Sequence, residues 1–364
     1  MTVPLPPASP APALPPLGPL PTILLTIVIG TAGGSAFAAA HLPLPWLLGA
    51  MAATTLAALF GVRLRMPNLL RNIGLATLGV FLGSSYGPDS FARISEWIPT
   101  LVGMCLATAI AGFLSLTYLR RVGGHDLQTS FFAGMPGGMN EMVIVGQAMG
   151  ADVRVVGLVH AVRVLVTVSV VAAVFRIMDG YVPDRTLRDV APFILSQQAT
   201  LLVVGIVGAT LGRVLRLPAP FFFGPILASL ALHAGGMEGE PPALVRSAAQ
   251  VVIGAALGSR FVGTTRREIA VTLRQGVVTT LIQLCVAFAA AVVLASFLTF
   301  EVKTIFLAFA PAGIAEMTIT AIALGYDATF VAVHHLARVV LVFAVAPGAF
   351  RVIRRINSRK KEKE

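Results

Sequence analysis

Glu141 and Glu316 each stand five residues beyond a proline, Pro136 and Pro311, in stretches otherwise almost free of charge. Charges in apolar surroundings are costly and usually pair or line a functional cavity. A carboxylate at such a place can carry a proton or a cation. A helix restarting after the proline would also hold it in its first turn, where the helix dipole favours negative charge, so capping of exposed backbone donors is the competing role. Asn140, beside Glu141, is a further polar candidate. His160 and Arg163 lie three apart, as do His335 and Arg338, so each pair shares one helical face. An arginine there could hold an anionic substrate or balance a glutamate; the histidines read as members of the same site or as satisfied core residues. Asp152 and Asp327 precede apolar runs starting at Val153 and Ala328 and read as N-caps.

Other chemistries find little support. A copper or iron site needs clustered histidines or carboxylates. Of His41, His125, His160, His233, His334 and His335 only the last two adjoin, and neighbours on a helix point about 100° apart. Cys105 and Cys285 stand alone in apolar runs, without a CxxC partner. No Rossmann fingerprint, P-loop or nucleophile elbow occurs. The expectation is a protein without catalytic residues, metal or cofactor, and not an enzyme.

The elements that must position these residues follow from composition. Of 364 residues 56% are hydrophobic and only 12% charged, and the mean hydropathy is +0.86. Soluble domains average about 25% charged residues, too many for this chain to be one of them. Runs near the 20 residues needed to cross a bilayer recur throughout, predicting spans at about 21–40, 44–61, 69–86, 97–119 and 153–178, and again at about 197–215, 219–236, 244–260, 275–298 and 328–350. Between the last two spans of each set lies an interrupted segment, 127–150 or 302–325. These centre on Met135-Pro136-Gly137-Gly138 and Ala310-Pro311-Ala312-Gly313, where proline removes a donor and glycine weakens a helix. Broken backbone at membrane depth survives only buried in protein or lining a wet cavity.

The second set repeats the first. With Pro136 set on Pro311 and no gap introduced, 11 of the 28 positions in 136–163 are identical to their partners, the acids, His160 and Arg163 among them. The same register pairs Arg71 with Arg246, Gly79 with Gly254 and Gly83 with Gly258; the four-residue glycine spacing suits close helix approach. The expected fold is an all-α polytopic membrane protein of two inverted repeats, each of about five transmembrane helices plus a broken or re-entrant segment. The inversion rests on charge. With re-entrant segments, one side collects Arg63, Arg65, Arg71, Arg120, Arg121, Arg213, Arg216, Arg260, Arg266, Arg267, Arg274 and the basic tail, 18 of the 27 Lys+Arg, whereas six full crossings per half would put several of these outside. The predicted organisation is a disordered proline-rich arm (1–20), repeat 1 (21–178), a linker (179–195), repeat 2 (196–350) and a basic cytoplasmic tail (351–364), both termini being cytoplasmic. The net charge of +11 follows from the same bias and does not require nucleic acid.

The blocks PGGMNEM…GAD…HAVRV and PAGIAEM…GYD…HLARV, in a duplicated hydrophobic chain, resemble the bacterial AbrB family of inner-membrane proteins, which is distinct from the small soluble DNA-binding proteins of that name. Members commonly carry provisional labels as regulators or ammonia monooxygenases. The resemblance implies an inner-membrane protein with a link to control of gene expression, yet no DNA-reading module is visible and no direct nucleic-acid binding is expected. Inverted repeats with interrupted segments point to a secondary transporter. The expected function is transporter-like handling of an unknown small solute or ion, the alternative a membrane sensor or regulator without transport, with a membrane oxidoreductase a more distant third. The lipid bilayer is the expected partner, and a homo-oligomer is compatible with the sequence.

Overall fold

The computed structural model describes residues 18–40, 42, 44–84, 94–179, 194–217, 219–237, 239–262 and 266–361. Every regular element among them is helical. The first half of the chain contributes α1 (Pro19–Ala39), α2 (Ala50–Leu59, entered through a π-helical turn at Pro45–Gly49), α3 (Asn68–Ser84), α4 (Ile98–Arg121), α5 (Leu127–Gly134), α6 (Met139–Ala148) and α7 (Val153–Asp179). The second contributes α8 (Leu195–Val214), α9 (Pro220–Ala234), α10 (Ala243–Gly258), α11 (Arg266–Ala295), α12 (Val302–Phe309), α13 (Ile314–Ala323) and α14 (Ala328–Lys361). Six helices, α1, α4, α7, α8, α11 and α14, are long and apolar enough to cross a membrane. Their lipid-type faces are conspicuous: Leu106, Phe113, Leu202, Ile206 and Phe288 are all exposed.

Element boundaries recur in the register of the repeat. Leu127–Gly134 is matched by Val302–Phe309, and Met139–Ala148 by Ile314–Ala323. The entries to α2 and α9 repeat even in strain, since Leu44 (φ 47°) and Ala219 (φ 44°) are both left-handed just before Pro45 and Pro220. The proline-rich arm lies almost wholly outside the described residues, as does most of the 179–195 linker. The basic tail begins as a continuation of the last helix. α14 runs unbroken through Arg351 and on to Lys361, because Arg and Lys are good helix formers and their charges suit a helix C-terminus.

The chain folds into two groups of helices, and in each the halves are interleaved. In one group α1 and α2 pack with α10, while α8 and α9 pack with α3, and α3 meets α10. Glycines permit this exchange: a Cβ on Gly79 would come 2.6 Å from the Phe222 carbonyl oxygen, and one on Gly254 would strike the Leu47 carbonyl. Gly83 lies equally close to Ile226 and Ser229, and Gly258 to Met51 and Thr54. Gly79→Ala is therefore expected to destabilise by about 1–3 kcal/mol through overpacking. Gly348→Ala, where an added Cβ meets nothing within 4 Å, should leave stability unchanged or raise it slightly. Thermal unfolding of the two purified variants checks the contrast; equal midpoints would show that the helix contact tolerates a methyl group.

In the other group α4 packs on α11, α7 on α11 and α14 on α4, with the short helices α5, α6, α12 and α13 held among them. Its core includes Phe306, Phe309, Phe330, Met317 and Val331, all buried, and a second cluster joins Phe131, Phe132 and Met142 to Phe350 of α14.

Candidate functional site

Each interrupted segment is two short helices separated by a break. In the first, Asp126 caps α5 by accepting from the backbone N–H of Thr129 at 2.7 Å and from its hydroxyl at 3.0 Å. The chain turns at Met135-Pro136-Gly137-Gly138 and returns as α6. The backbone N–H of Asp152, beyond the end of α6, then donates to the Thr129 hydroxyl at 2.9 Å. Entry and exit are thus side by side, and the segment is a hairpin with its break at the tip. Asp152 accepts from the N–H groups of Arg154 and Val155, capping α7, and Asp327 does the same for Thr329 and Phe330 at the start of α14.

A helix that stops leaves backbone carbonyls short of partners, and in both hairpins an arginine donates to them, adding to the N–H groups of Gly137 and Ala312 that already reach the Met135 and Ala310 carbonyls. Arg163 donates to the carbonyls of Met135 (3.0 Å) and Gly137 (2.6 Å). Arg338 donates to those of Ala310 (2.7 Å) and Ala312 (2.8 Å), the repeat partners of Met135 and Gly137, and to that of Phe309 (3.2 Å). Both arginines are buried, each only 3% exposed. The expectation that they balance the glutamates or bind an anion is thus not how their forks are used: the planar guanidinium reaches two or three carbonyls at once, and the broken backbone presents them. His335 joins the same network, its Nδ1 accepting from Arg338 at 2.8 Å and its Nε2–H donating to the Leu307 carbonyl at 3.1 Å. That pattern requires a neutral imidazole protonated at Nε2. His160 differs: its Nδ1–H donates to the Val156 carbonyl at 2.9 Å, while Nε2 is buried without a hydrogen-bond partner among the described residues. The adjacent His334 points elsewhere, to the Phe330 carbonyl and the Thr100 hydroxyl.

The two hairpin tips come together. Pro136 and Pro311 line one small gap of about 10 Å³, with Gln283 and Arg338. Gly137-Gly138 and Ala312-Gly313 line a second cavity of about 170 Å³, shared with Arg71, Arg163, Arg260 and Glu316. Glu316 is the third residue of α13 and 9% exposed, and its carboxylate folds back towards Gly313, in contact with where a Cβ there would sit. This inner cavity adjoins a larger one of about 800 Å³, the two sharing Arg71, Leu75, Met139, Ala219 and Arg260 in their walls; Asn68, Asn72 and Arg154 line the larger one alone. Glu141 and Asn140 sit in the first turn of α6, which starts at Met139, but their side chains lie outside the described residues. Among the described residues no group of three metal-ligating side chains occurs, and Cys105 and Cys285 are free thiols.

Two residues of this cavity escape a reading of the sequence. Arg71 and Arg260 look like ordinary loop-flanking bases. Arg71 at least repeats as Arg246, but nothing in the sequence separates Arg260 from the arginines that follow it. It is placed by the short 3-10 turn Ser259–Phe261 that ends α10, which aims its guanidinium at the Met139 sulfur.

Comparison with known proteins accords with this architecture. Residues 46–354 match the profile of the family AbrB, described as "Transition state regulatory protein AbrB". The "Uncharacterized protein YhjN" of Bacillus subtilis (strain 168) is 29% identical over 93% of this chain and 94% of its own length. A protein of Escherichia coli (strain K12) provisionally named as a regulator, AbrB, is 26% identical over 87% of this chain and 92% of its own. With the match covering most of the chain, and with apolar helices of membrane-spanning length, the protein belongs to the AbrB family, in its membrane form and not that of the small soluble DNA-binding proteins.

Proposed function

We propose that this protein is a secondary-transporter-like carrier of a small solute or ion in the bacterial inner membrane, built as two inverted repeats. The observation that supports the reading is the meeting of two broken hairpins, one from each half, whose tips line one gap and one cavity together. Broken helices converging from two repeats are the usual site of substrate and coupling ion in such carriers. Ring contacts support the inversion. Phe350, late in α14, packs on Phe131 and Phe132 of the first hairpin, beside the start of α7, with centroids 5.5 and 5.4 Å away. Phe175, its repeat partner late in α7, packs on Tyr326 beside the start of α14, at 5.4 Å. These contacts support a reading in which α7 and α14 run in opposite directions and their hairpins open at opposite ends.

The test is uptake into proteoliposomes, screened over small solutes with and without a pH gradient. Accumulation above empty vesicles for some solute supports the carrier; none across the screen turns the reading to the alternative, a sensor or regulator. That alternative draws on the printed names of the family and of the E. coli relative. For orientation, the 18 basic residues that the inverted arrangement assigns to one side support a cytoplasmic position for both termini. In a background lacking Cys105 and Cys285, Ser196→Cys should react with an impermeant thiol reagent added outside intact cells and Ser358→Cys should not. Equal labelling would overturn the inverted topology.

A further inference from the structure

We propose that the cavity between the hairpin tips is a site for one small oxyanion of the carboxylate class, seated between the guanidiniums of Arg71 and Arg260. The proposal names the substrate class for the carrier and rests on that reading for its physiological role, although the binding itself is measured without transport.

Three observations converge. First, the described charged groups in the inner wall are Arg71, Arg163, Arg260 and Glu316, an excess of cations. Arg163 has its terminal nitrogens committed to carbonyls of the break, which leaves Arg71 and Arg260, the latter with one terminal nitrogen on the Met139 sulfur, to face the space. Guanidinium is the group best matched to a carboxylate, through paired N–H donors in a plane. Second, the end of each break and the start of the helix that follows it, Gly137-Gly138-Met139 and Ala312-Gly313-Ile314-Ala315, form part of the same wall. The first N–H groups of a helix have no partner within it and carry the positive end of its dipole. Two such ends and two arginines around one cavity favour negative charge.

The third observation is a built-in comparison. Arg246 occupies the repeat position of Arg71, one on α10 and the other on α3. Arg246 pairs with Glu240 at 3.1 Å and lies over the Phe81 ring, 4.4 Å from its centroid. Arg71 has no carboxylate partner among the described residues and looks into both cavities. One arginine of the pair is neutralised at its own end of the molecule, while the other is kept for the site.

Size admits the class. One water needs only about 10–15 Å³ of such space, so the 170 Å³ cavity has room for a small carboxylate. The 800 Å³ cavity beside it, with Arg154, Asn68 and Asn72 in its wall, provides the approach.

Binding of sodium acetate, succinate and phosphate to the full-length protein in detergent, by thermal shift and calorimetry against sodium chloride of equal ionic strength, tests this. At least one of the carboxylates is expected to bind. Arg71→Gln and Arg260→Gln should each weaken it at least tenfold, and Arg71→Lys less, since it keeps the charge and guards against a folding defect. Arg246→Gln should not change binding, and Glu316→Gln should tighten it by removing a like charge. Binding of neither carboxylate, whether or not phosphate binds, or binding that persists undiminished in both Arg→Gln variants, overturns the proposal. Binding without uptake keeps the anion site and removes the carrier; uptake of a cation or neutral solute with no anion binding does the reverse.

Discussion

Arg338→Ala is expected to be the most damaging single substitution in the molecule. It strips the donor from the carbonyls of Phe309 and Ala312 and from Nδ1 of His335, all in buried residues, and leaves the Ala310 carbonyl with only the N–H of Ala312. Each buried acceptor left unpaired costs about 1–3 kcal/mol, so a loss of at least about 3 kcal/mol is expected, with the second hairpin unable to hold its break. Arg338→Lys should recover part of this, because one ammonium can satisfy a carbonyl but cannot span the positions the planar fork reaches. Arg163→Ala removes two such bonds and should cost less than Arg338→Ala. Thermal unfolding of the three purified variants, with uptake measured alongside, checks both the size and the order. An Arg338→Ala protein as stable as the parent would show that the break holds itself.

Glu316→Gln is the second expected large effect, this time on activity with little on stability. The side chain is buried in the first turn of α13 and lines the cavity between the hairpins. Glutamine keeps the volume and can still accept a hydrogen bond from an exposed N–H, but it cannot ionise. Arg71 and Arg260 share a cavity wall with this carboxylate, whereas Arg163 and Arg338, the partners that the sequence suggests, have their terminal nitrogens on backbone carbonyls. If the carboxylate exchanges a proton or cation during the cycle, the variant folds normally while uptake driven by a pH gradient falls at least tenfold and loses its pH dependence. A variant with normal, pH-responsive uptake would leave Glu316 as a cap. Glu141→Gln asks the same question of the other hairpin, and the double variant asks whether one glutamate covers for its counterpart.

Much of this protein is written locally and can be read from the chain alone. A proline without an N–H next to glycine stops a helix wherever it stands, so the breaks at Pro136 and Pro311 follow from sequence, as do the capping positions of Asp152 and Asp327. The identities between 136–163 and 311–338 and the density of apolar runs likewise need no coordinates. What the chain could not disclose is which groups answer each other after folding. Arg163 and Arg338 look like counter-ions in the sequence, yet orphaned carbonyls at the hairpin tips claim them, a demand that exists only once the helices have ended and been buried. Arg71 and Arg246 are the same residue at the same repeat position, and no local rule separates them. The interleaving of the halves does so: Phe81 of α3 and Glu240, just ahead of α10, come against Arg246, while Arg71 is left facing the cavity. Charge pairing depends on distance through space, and in a molecule whose two halves exchange helices that distance is decided by packing alone.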